Sequence, residues 1–279
     1  MSIVKVRLAK KTGFCFGVKR AVEMAEKTVR TADGPVSTLG PLIHNPLVVG
    51  NLAARGVKAV DTPAAAAGGT LIIRSHGAPP AVIAQAEGLG LTVVDATCPF
   101  VRKAQKLAHR LAAAGYQVIV VGDAAHPEIK GVVAAAGEAL VVADQNDLIG
   151  RKLRARVGLI CQTTSPPETL SRIAAAVAPI CRELVVYNTI CTATYERQQG
   201  ALALARSVDA MAVVGGAESA NTAHLAEVCR DVVPTFLVEK AEDLRPEWFA
   251  GMRRVGLTAG ASTPSEQIEA VRLALKKMT

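Results

Sequence analysis

Aromatic residues are scarce in this 279-residue chain, which has one Trp, three Tyr and five Phe. Proteins that bind single-stranded nucleic acid stack bases on such rings. The lysines and arginines are scattered along the chain, and no helix-turn-helix, RRM or zinc-finger pattern is present. Nucleic acid is therefore not the expected partner. No stretch approaches the roughly 18 apolar residues of a membrane span, and residues 1–12, MSIVKVRLAKKT, lack the apolar run of a signal peptide. The expectation is a cytoplasmic protein with no membrane partner. Acidic residues are in deficit, 24 against 32 Lys and Arg. The resulting formal charge of +8 suits a small anionic ligand.

No two of the six cysteines form a CxxC pair; they stand at 15, 98, 161, 181, 191 and 229. In a reducing compartment such cysteines serve as free thiols, metal ligands or catalytic groups more often than as disulfides.

What the sequence does contain is alternation. Short β-branched runs are followed by small polar loops and Ala-rich stretches of helical period: "TLIIRSHGAPPAVIAQAEGLG", "YQVIVVGDAAHPEIKGVVAAAG", "VGLICQTTSPPETLSRIAAAVA", "DAMAVVGGAESANTAHLAEVC" and "RVGLTAGASTPSEQIEAVRLAL". "STLGPLIHNPLVVGNLAARG" follows the same scheme more loosely. This pattern predicts α/β layers with largely parallel sheets. Six loops then leave the carboxyl ends of strands, where ligands bind in such folds. In order they present His44; His76; His126 with Glu128; Thr163 with Thr164; Ser219 with Asn221; and Ser262.

Cys15, Cys98 and Cys191 stand in comparable settings, "GFCFGVKRAV", "ATCPFVRKAQ" and "TICTATYERQ", each before a predicted helix with a basic residue in its first turns. They recur about every 90 residues, as in three diverged copies of one unit. The spacing predicts three similar α/β domains, 1–96 with the N-terminal strand, 97–189 and 190–279. A pseudo-threefold arrangement of these would bring the three thiols to a centre ringed by the six loops. Cys161, in a strand, and Cys181 and Cys229, on helix faces, read as small buried hydrophobes.

Three thiolates without a fourth protein ligand suit zinc with one open position, or a 4Fe-4S cluster with one iron open to substrate. His44, His76 and His126 all lie beside Pro or Gly in loops, which favours ligand binding over packing. His109 and His224 fall on predicted helices and read as surface or packing residues. Ser219, Asn221 and Ser262 are good helix caps in their own right, and only their convergence would make them a site. Glu128 is the one acidic residue among these loop groups. It could be an ordinary first-turn glutamate, or a carboxyl group that carries protons to a departing hydroxyl.

Together "GFCFGVKRAV", "SHGAPP", "DATCPFV", "GDAAHPEIKG", "CQTT", "ICTATYERQ" and "TAGASTP", in order from about residue 13 to residue 265, resemble the motif set of the 4-hydroxy-3-methylbut-2-enyl diphosphate reductases, the IspH/LytB family. The resemblance implies three α/β domains around a central 4Fe-4S cluster. It also implies reduction of (E)-4-hydroxy-3-methylbut-2-enyl diphosphate, with two electrons and two protons and loss of water, to isopentenyl and dimethylallyl diphosphate. That is the last step of the methylerythritol phosphate route to isoprenoids. By the same resemblance Cys15, Cys98 and Cys191 would hold the cluster with its apical iron open, and Glu128 with Thr163 would supply a proton. Thr164 is the adjacent alternative for the hydroxyl role. His44, His76, His126, Ser219, Ala220, Asn221 and Ser262 would line the diphosphate site. Ala220 departs from the family's common "SSN", with one hydroxyl fewer. The electron donor is implied to be a ferredoxin or flavodoxin. A zinc hydrolase or lyase acting on a phosphorylated substrate, or an iron–sulfur sensor that binds an anionic effector, are the competing readings.

Overall fold

The structure, a computed structural model, describes residues 5–66, 68–217 and 219–278. The chain begins with β1 (Lys5–Leu8), α1 (Phe16–Thr31), β2 (Val36–Leu39), α2 (Pro46–Ala53), β3 (Lys58–Val60), β4 (Thr70–Ile73), α3 (Pro80–Gly88) and β5 (Thr92–Asp95). There follow α4 (Pro99–Ala113), β6 (Gln117–Val121), α5 (Pro127–Ala136), β7 (Ala139–Val142), β8 (Arg156–Cys161), α6 (Pro167–Val177) and β9 (Glu183–Val186). The last elements are α7 (Thr192–Ala205), β10 (Ala210–Val214), α8 (Ala220–Arg230), β11 (Thr235–Val238), β12 (Arg254–Ala259) and α9 (Ser265–Lys277). Five consecutive helices, α2 to α6, open on proline, whose fixed φ suits the first helical position and whose missing N–H would have had no helical partner there.

The strands form three four-stranded sheets, all of whose pairings are parallel. Their orders are β3-β2-β4-β5, β7-β6-β8-β9 and β1-β12-β10-β11. The α/β class expected from the alternation is thus realised, with one sheet in each third of the chain. The N-terminal strand departs from expectation. Placed with residues 1–96 by its position, it pairs instead with β12, Lys5 opposite Arg254 and Leu8 opposite Leu257. Parallel partners are joined by long crossovers, so nothing local to a four-residue strand specifies its neighbour.

The chain divides into two compact units. One, comprising Met1–Lys19, Ile43–Asn51 and Thr192–Thr279, holds the sheet around β10. Side chains alternate across that sheet. Ala210, Ala212 and Val214 join Leu257, Val271 and Leu275 on one face, while Met211 and Val213 meet Ala201, Ala205, Leu225 and Cys229 on the other.

The second unit, Arg20–Leu42 and Leu52–Cys191, holds the other two sheets. Leu39, Val60, Leu71 and Ile73 pack with Ala86 and Leu91 around the first of them. In the other, Ile119, Val121 and Leu159 meet Leu170, Ile173 and Val177 of α6. Val118, Val120 and Ile160 face Ala104, Ala108 and Leu111 of α4 together with Ile129 and Val132 of α5. A side chain at Gly158 would place its Cβ 2.7 Å from Leu111, so the glycine lets α4 approach the sheet.

Candidate active site

All three cysteines of the matched set stand one residue ahead of a helix: Cys15 before α1, Cys98 before α4 and Cys191 before α7. Cys15 caps α1. Its carbonyl accepts the Lys19 N–H at 2.9 Å, and its Sγ accepts the Val18 N–H at 3.5 Å. Its own N–H donates to Ala261 O at 3.0 Å, in the loop after β12. Cys98 is the N-cap of α4 and donates its N–H to Ser75 O at 2.9 Å, beside His76. Cys191 donates its N–H to Thr163 O at 2.8 Å. All three thiols are half-buried.

The other cysteines occupy different surroundings. Cys161 and Cys229 are buried in the cores. Burial pushes the thiol of Cys161 up in pKa and that of Cys229 up to about 11, because a thiolate is poorly solvated there. Cys181 was expected on a helix face. It lies instead in extended backbone just past a 3-10 turn, Ala178–Ile180, that terminates α6, and it packs half-buried against the core. The Pro179 turn cuts short the helical period of the Ala-rich run.

Six loops follow the carboxyl ends of their strands. In the second unit His126 is the N-cap of α5, its Nδ1 accepting the Glu128 N–H at 3.2 Å. The His76 and His126 rings meet edge to face, with centroids 5.3 Å apart. Glu128 is 2% exposed. Its Oε1 accepts the Thr163 N–H at 2.7 Å and its Oε2 accepts the Thr163 hydroxyl at 2.8 Å. Burial pushes this carboxyl up to about 7, against the opposing pull of the two Thr163 bonds, which stabilise the carboxylate. Of the two adjacent threonines it is thus Thr163, not Thr164, that meets the acid.

In the first unit the Ser262 hydroxyl donates to His44 O at 2.9 Å. Asn45 Nδ2 donates to Gln267 Oε1 at 3.0 Å and Asn45 Oδ1 accepts the Val48 N–H at 3.1 Å, so the His44 loop is tied both to α9 and to the start of α2. Ser219 is the N-cap of α8 and accepts the Thr222 N–H at 3.4 Å. Asn221 is 8% exposed, and its Nδ2 has no hydrogen-bond partner among the described residues. A buried amide donor left open is costly unless a ligand satisfies it. The side chain of Ala220 lies outside the described residues. His109 is exposed on α4, and His224, half-buried on α8, meets Glu227 at 3.3 Å, in keeping with the surface or packing roles expected of them.

Two residues of the site's surroundings escaped the sequence reading. The Thr189 hydroxyl accepts the Cys161 N–H at 3.0 Å and donates to Cys161 O, clasping the end of β8 to the segment that leads into Cys191. Arg197, 4% exposed on α7, donates to three backbone carbonyls. A threonine near a cysteine and an arginine in a helical period carry no mark of either role.

The fold and this arrangement define a parallel α/β protein with three thiols at helix entrances and a buried carboxyl group whose pKa is pushed up to about 7. The LytB protein family model matches residues 6–276, and the chain belongs to that family. It is 46% identical over 270 residues to 4-hydroxy-3-methylbut-2-enyl diphosphate reductase of Anaeromyxobacter sp. (strain Fw109-5), covering 96% of this chain and 95% of the relative. Identity to the enzyme of that name from Geobacter sulfurreducens is 47% over 270 residues, with the same coverage of each chain, 96% and 95%. A solved structure of (E)-4-hydroxy-3-methyl-but-2-enyl diphosphate reductase, the terminal enzyme of the non-mevalonate pathway, superposes with TM-score 0.74 at 39% identity and covers 99% of this chain and 100% of that one. The E-1-hydroxy-2-methyl-but-2-enyl-4-diphosphate reductase from Plasmodium falciparum superposes with TM-score 0.89 at 26% identity, covering 96% and 86%.

Proposed function

We propose that this chain is an iron–sulfur oxidoreductase that converts (E)-4-hydroxy-3-methylbut-2-enyl diphosphate to isopentenyl and dimethylallyl diphosphate, closing the methylerythritol phosphate route to isoprenoids. The observation that carries the reading is the buried Glu128 carboxyl group clasped by Thr163, whose carbonyl in turn holds the N–H of Cys191. A proton store therefore sits beside a ligand loop. The chain reads as three α/β segments, 1–96, 97–189 and 190–279, each with one four-stranded sheet and one helix-entrance cysteine, the first lending its opening strand to the last sheet.

The donor set suits an iron–sulfur cluster. Cys15, Cys98 and Cys191 stand half-buried, each one residue ahead of a helix, whereas Cys161 and Cys229 are held as thiols by burial. These three would hold a 4Fe-4S cluster, which when bound supplies electrons and an iron without a protein ligand as Lewis acid.

The remaining work falls to the chain's own residues. The conversion consumes two electrons and two protons and releases water. With its pKa near 7, Glu128 is protonated in a large fraction of molecules at neutral pH and can surrender that proton through the Thr163 hydroxyl to a departing oxygen. His44, His76, His126, Ser219, Asn221 and Ser262 bind the diphosphate, with the α5 and α8 N-termini adding positive potential. At position 220, where the hydroxyl of the family's common sequence is absent, its contact either passes to the backbone N–H or is lost. A ferredoxin or flavodoxin supplies the electrons, and the protein works in the cytoplasm; among the described residues no helix is long and apolar enough to cross a membrane.

The test is an anaerobic assay of the reconstituted protein with the diphosphate substrate and an artificial reductant. Formation of the two five-carbon diphosphates is the expected result, and an intact iron–sulfur spectrum with no turnover would overturn the reading.

A further inference from the structure

We infer that Arg197 is a positioning residue that fixes the loop presenting the Cys15 thiol; the consequence for metal binding rests on the reading of Cys15 as a ligand. The argument begins with cost. Arg197 is 4% exposed, and removing a guanidinium from water costs several kcal/mol unless its donors are met. Here Nη1 donates to Lys11 O and to Ala259 O, each at 3.2 Å, and Nη2 donates to Gly13 O at 2.9 Å.

These carbonyls belong to the two segments that hold Cys15. Lys11 and Gly13 form the approach to the cysteine, and Ala259 ends β12, two residues before the carbonyl of Ala261 that accepts the Cys15 N–H. A single planar fork therefore fixes both the chain leading into Cys15 and the chain bonded to it. Gly13 completes the arrangement. It adopts φ +78, a conformation that side chains rarely take, and a Cβ there would lie 3.3 Å from both Ile268 Cδ1 and Thr263 O, so the approach packs closely against α9 and the loop after β12. Arg197 also lies one and a half turns into α7, the helix that starts immediately after Cys191. The motif that carries one proposed ligand thereby braces the loop that carries another. Lysine cannot reproduce this, because one ammonium cannot span three carbonyls in a fixed plane.

The experiment uses the full chain in its metal-free, reduced form and measures the iodoacetamide alkylation rate of each cysteine by mass spectrometry. In Arg197→Gln the Cys15 rate should rise about tenfold, as for one charge-assisted hydrogen bond lost from the barrier to local opening, while Cys98 and Cys191 keep the parental rates. Arg197→Lys should give a smaller rise confined to Cys15, and it carries the test if the glutamine variant does not fold. An unchanged Cys15 rate, or an equal rise at all three cysteines, would overturn the inference. Iron content of reconstituted Cys15→Ser reports separately on whether Cys15 is a ligand, so the two ideas fail by different measurements.

Discussion

Thr163 gives both of its hydrogen-bond donors to one carboxyl group: the N–H to Oε1 of Glu128 at 2.7 Å and the hydroxyl to Oε2 at 2.8 Å. Burial and these bonds act in opposite directions on the acid, and burial wins, leaving it near 7.

Glu128→Gln preserves the shape and most of the hydrogen bonding but cannot cycle a proton. Turnover should fall by about 100-fold or more with little change in substrate affinity, measured by steady-state kinetics beside direct binding. A rate within a few-fold of the parent would move the proton source elsewhere.

The same residue has a stability signature. Its folded pKa lies above its ordinary value of 4.5, so the native state binds the proton more tightly than the unfolded chain does. The contribution of Glu128 to stability is therefore greatest below about pH 4.5, declines as pH rises through 7 and levels off above, by a ceiling of roughly 3 kcal/mol. Glu128→Gln removes that decline. In calorimetry of the metal-free protein, the melting temperature of the variant relative to the parent should increase between pH 5 and pH 8.

Thr163→Val removes the hydroxyl bond that favours the carboxylate, so Glu128 should titrate at higher pH. Activity should drop, and the alkaline limb of the remaining activity should move upward in a pH profile. Thr163→Ser should keep both features near the parent. Thr164→Val, which leaves the Glu128 contacts intact, should behave as the parent does; an equal loss there would return the hydroxyl role to Thr164.

Serine at Cys15, Cys98 or Cys191 should sharply reduce iron per chain after reconstitution, while serine at Cys161, Cys181 or Cys229 should not. Near-normal iron in Cys98→Ser would remove it from the ligand set.

Asn221 separates binding from folding. Its open Nδ2 contributes nothing to the ligand-free fold, so Asn221→Ala should leave the melting temperature within a degree or so of the parent, in line with a surface-like ΔΔG of about 0.5 kcal/mol or less. Substrate affinity should weaken by roughly 10- to 100-fold, as for a lost bond to a charged group. Ala220→Ser should bind as tightly as the parent or modestly tighter. A large loss of stability without loss of affinity would make Asn221 a structural residue.

Much of this was written openly in the sequence, and the reasons are local. Glycines two residues to either side of Cys15, a proline directly after Cys98 and a polar loop before Cys191 mark helix entrances. Alternation of β-branched and Ala-rich stretches marks strands and helices. What could not be read is nonlocal. The partner of β1 is nearly a chain length away. The choice between Thr163 and Thr164 depends on which side of the loop faces α5. A guanidinium bonded to three carbonyls, as in Arg197, looks in sequence like any solvated arginine on a helix. Cys181 was misplaced because Pro179 ends α6 within a run of good helix formers.

The pairing of β1 with β12 also dictates an order of events during synthesis. Residues 5–8 leave the ribosome about 250 residues ahead of their hydrogen-bonding neighbour, residues 254–259. Translation proceeds at about 5–20 residues per second, so the nascent chain carries an unpaired strand and a slack Cys15 segment for many seconds. The second unit, by contrast, is complete once residue 191 is out and can fold while the remainder is being made. Metal delivered to the growing polypeptide would meet Cys98 and Cys191 before Cys15 had a fixed place. Assembly of the proposed three-cysteine centre would therefore await the emergence of β12 and the loop after it, so a loading factor could act productively only on chains that already include them.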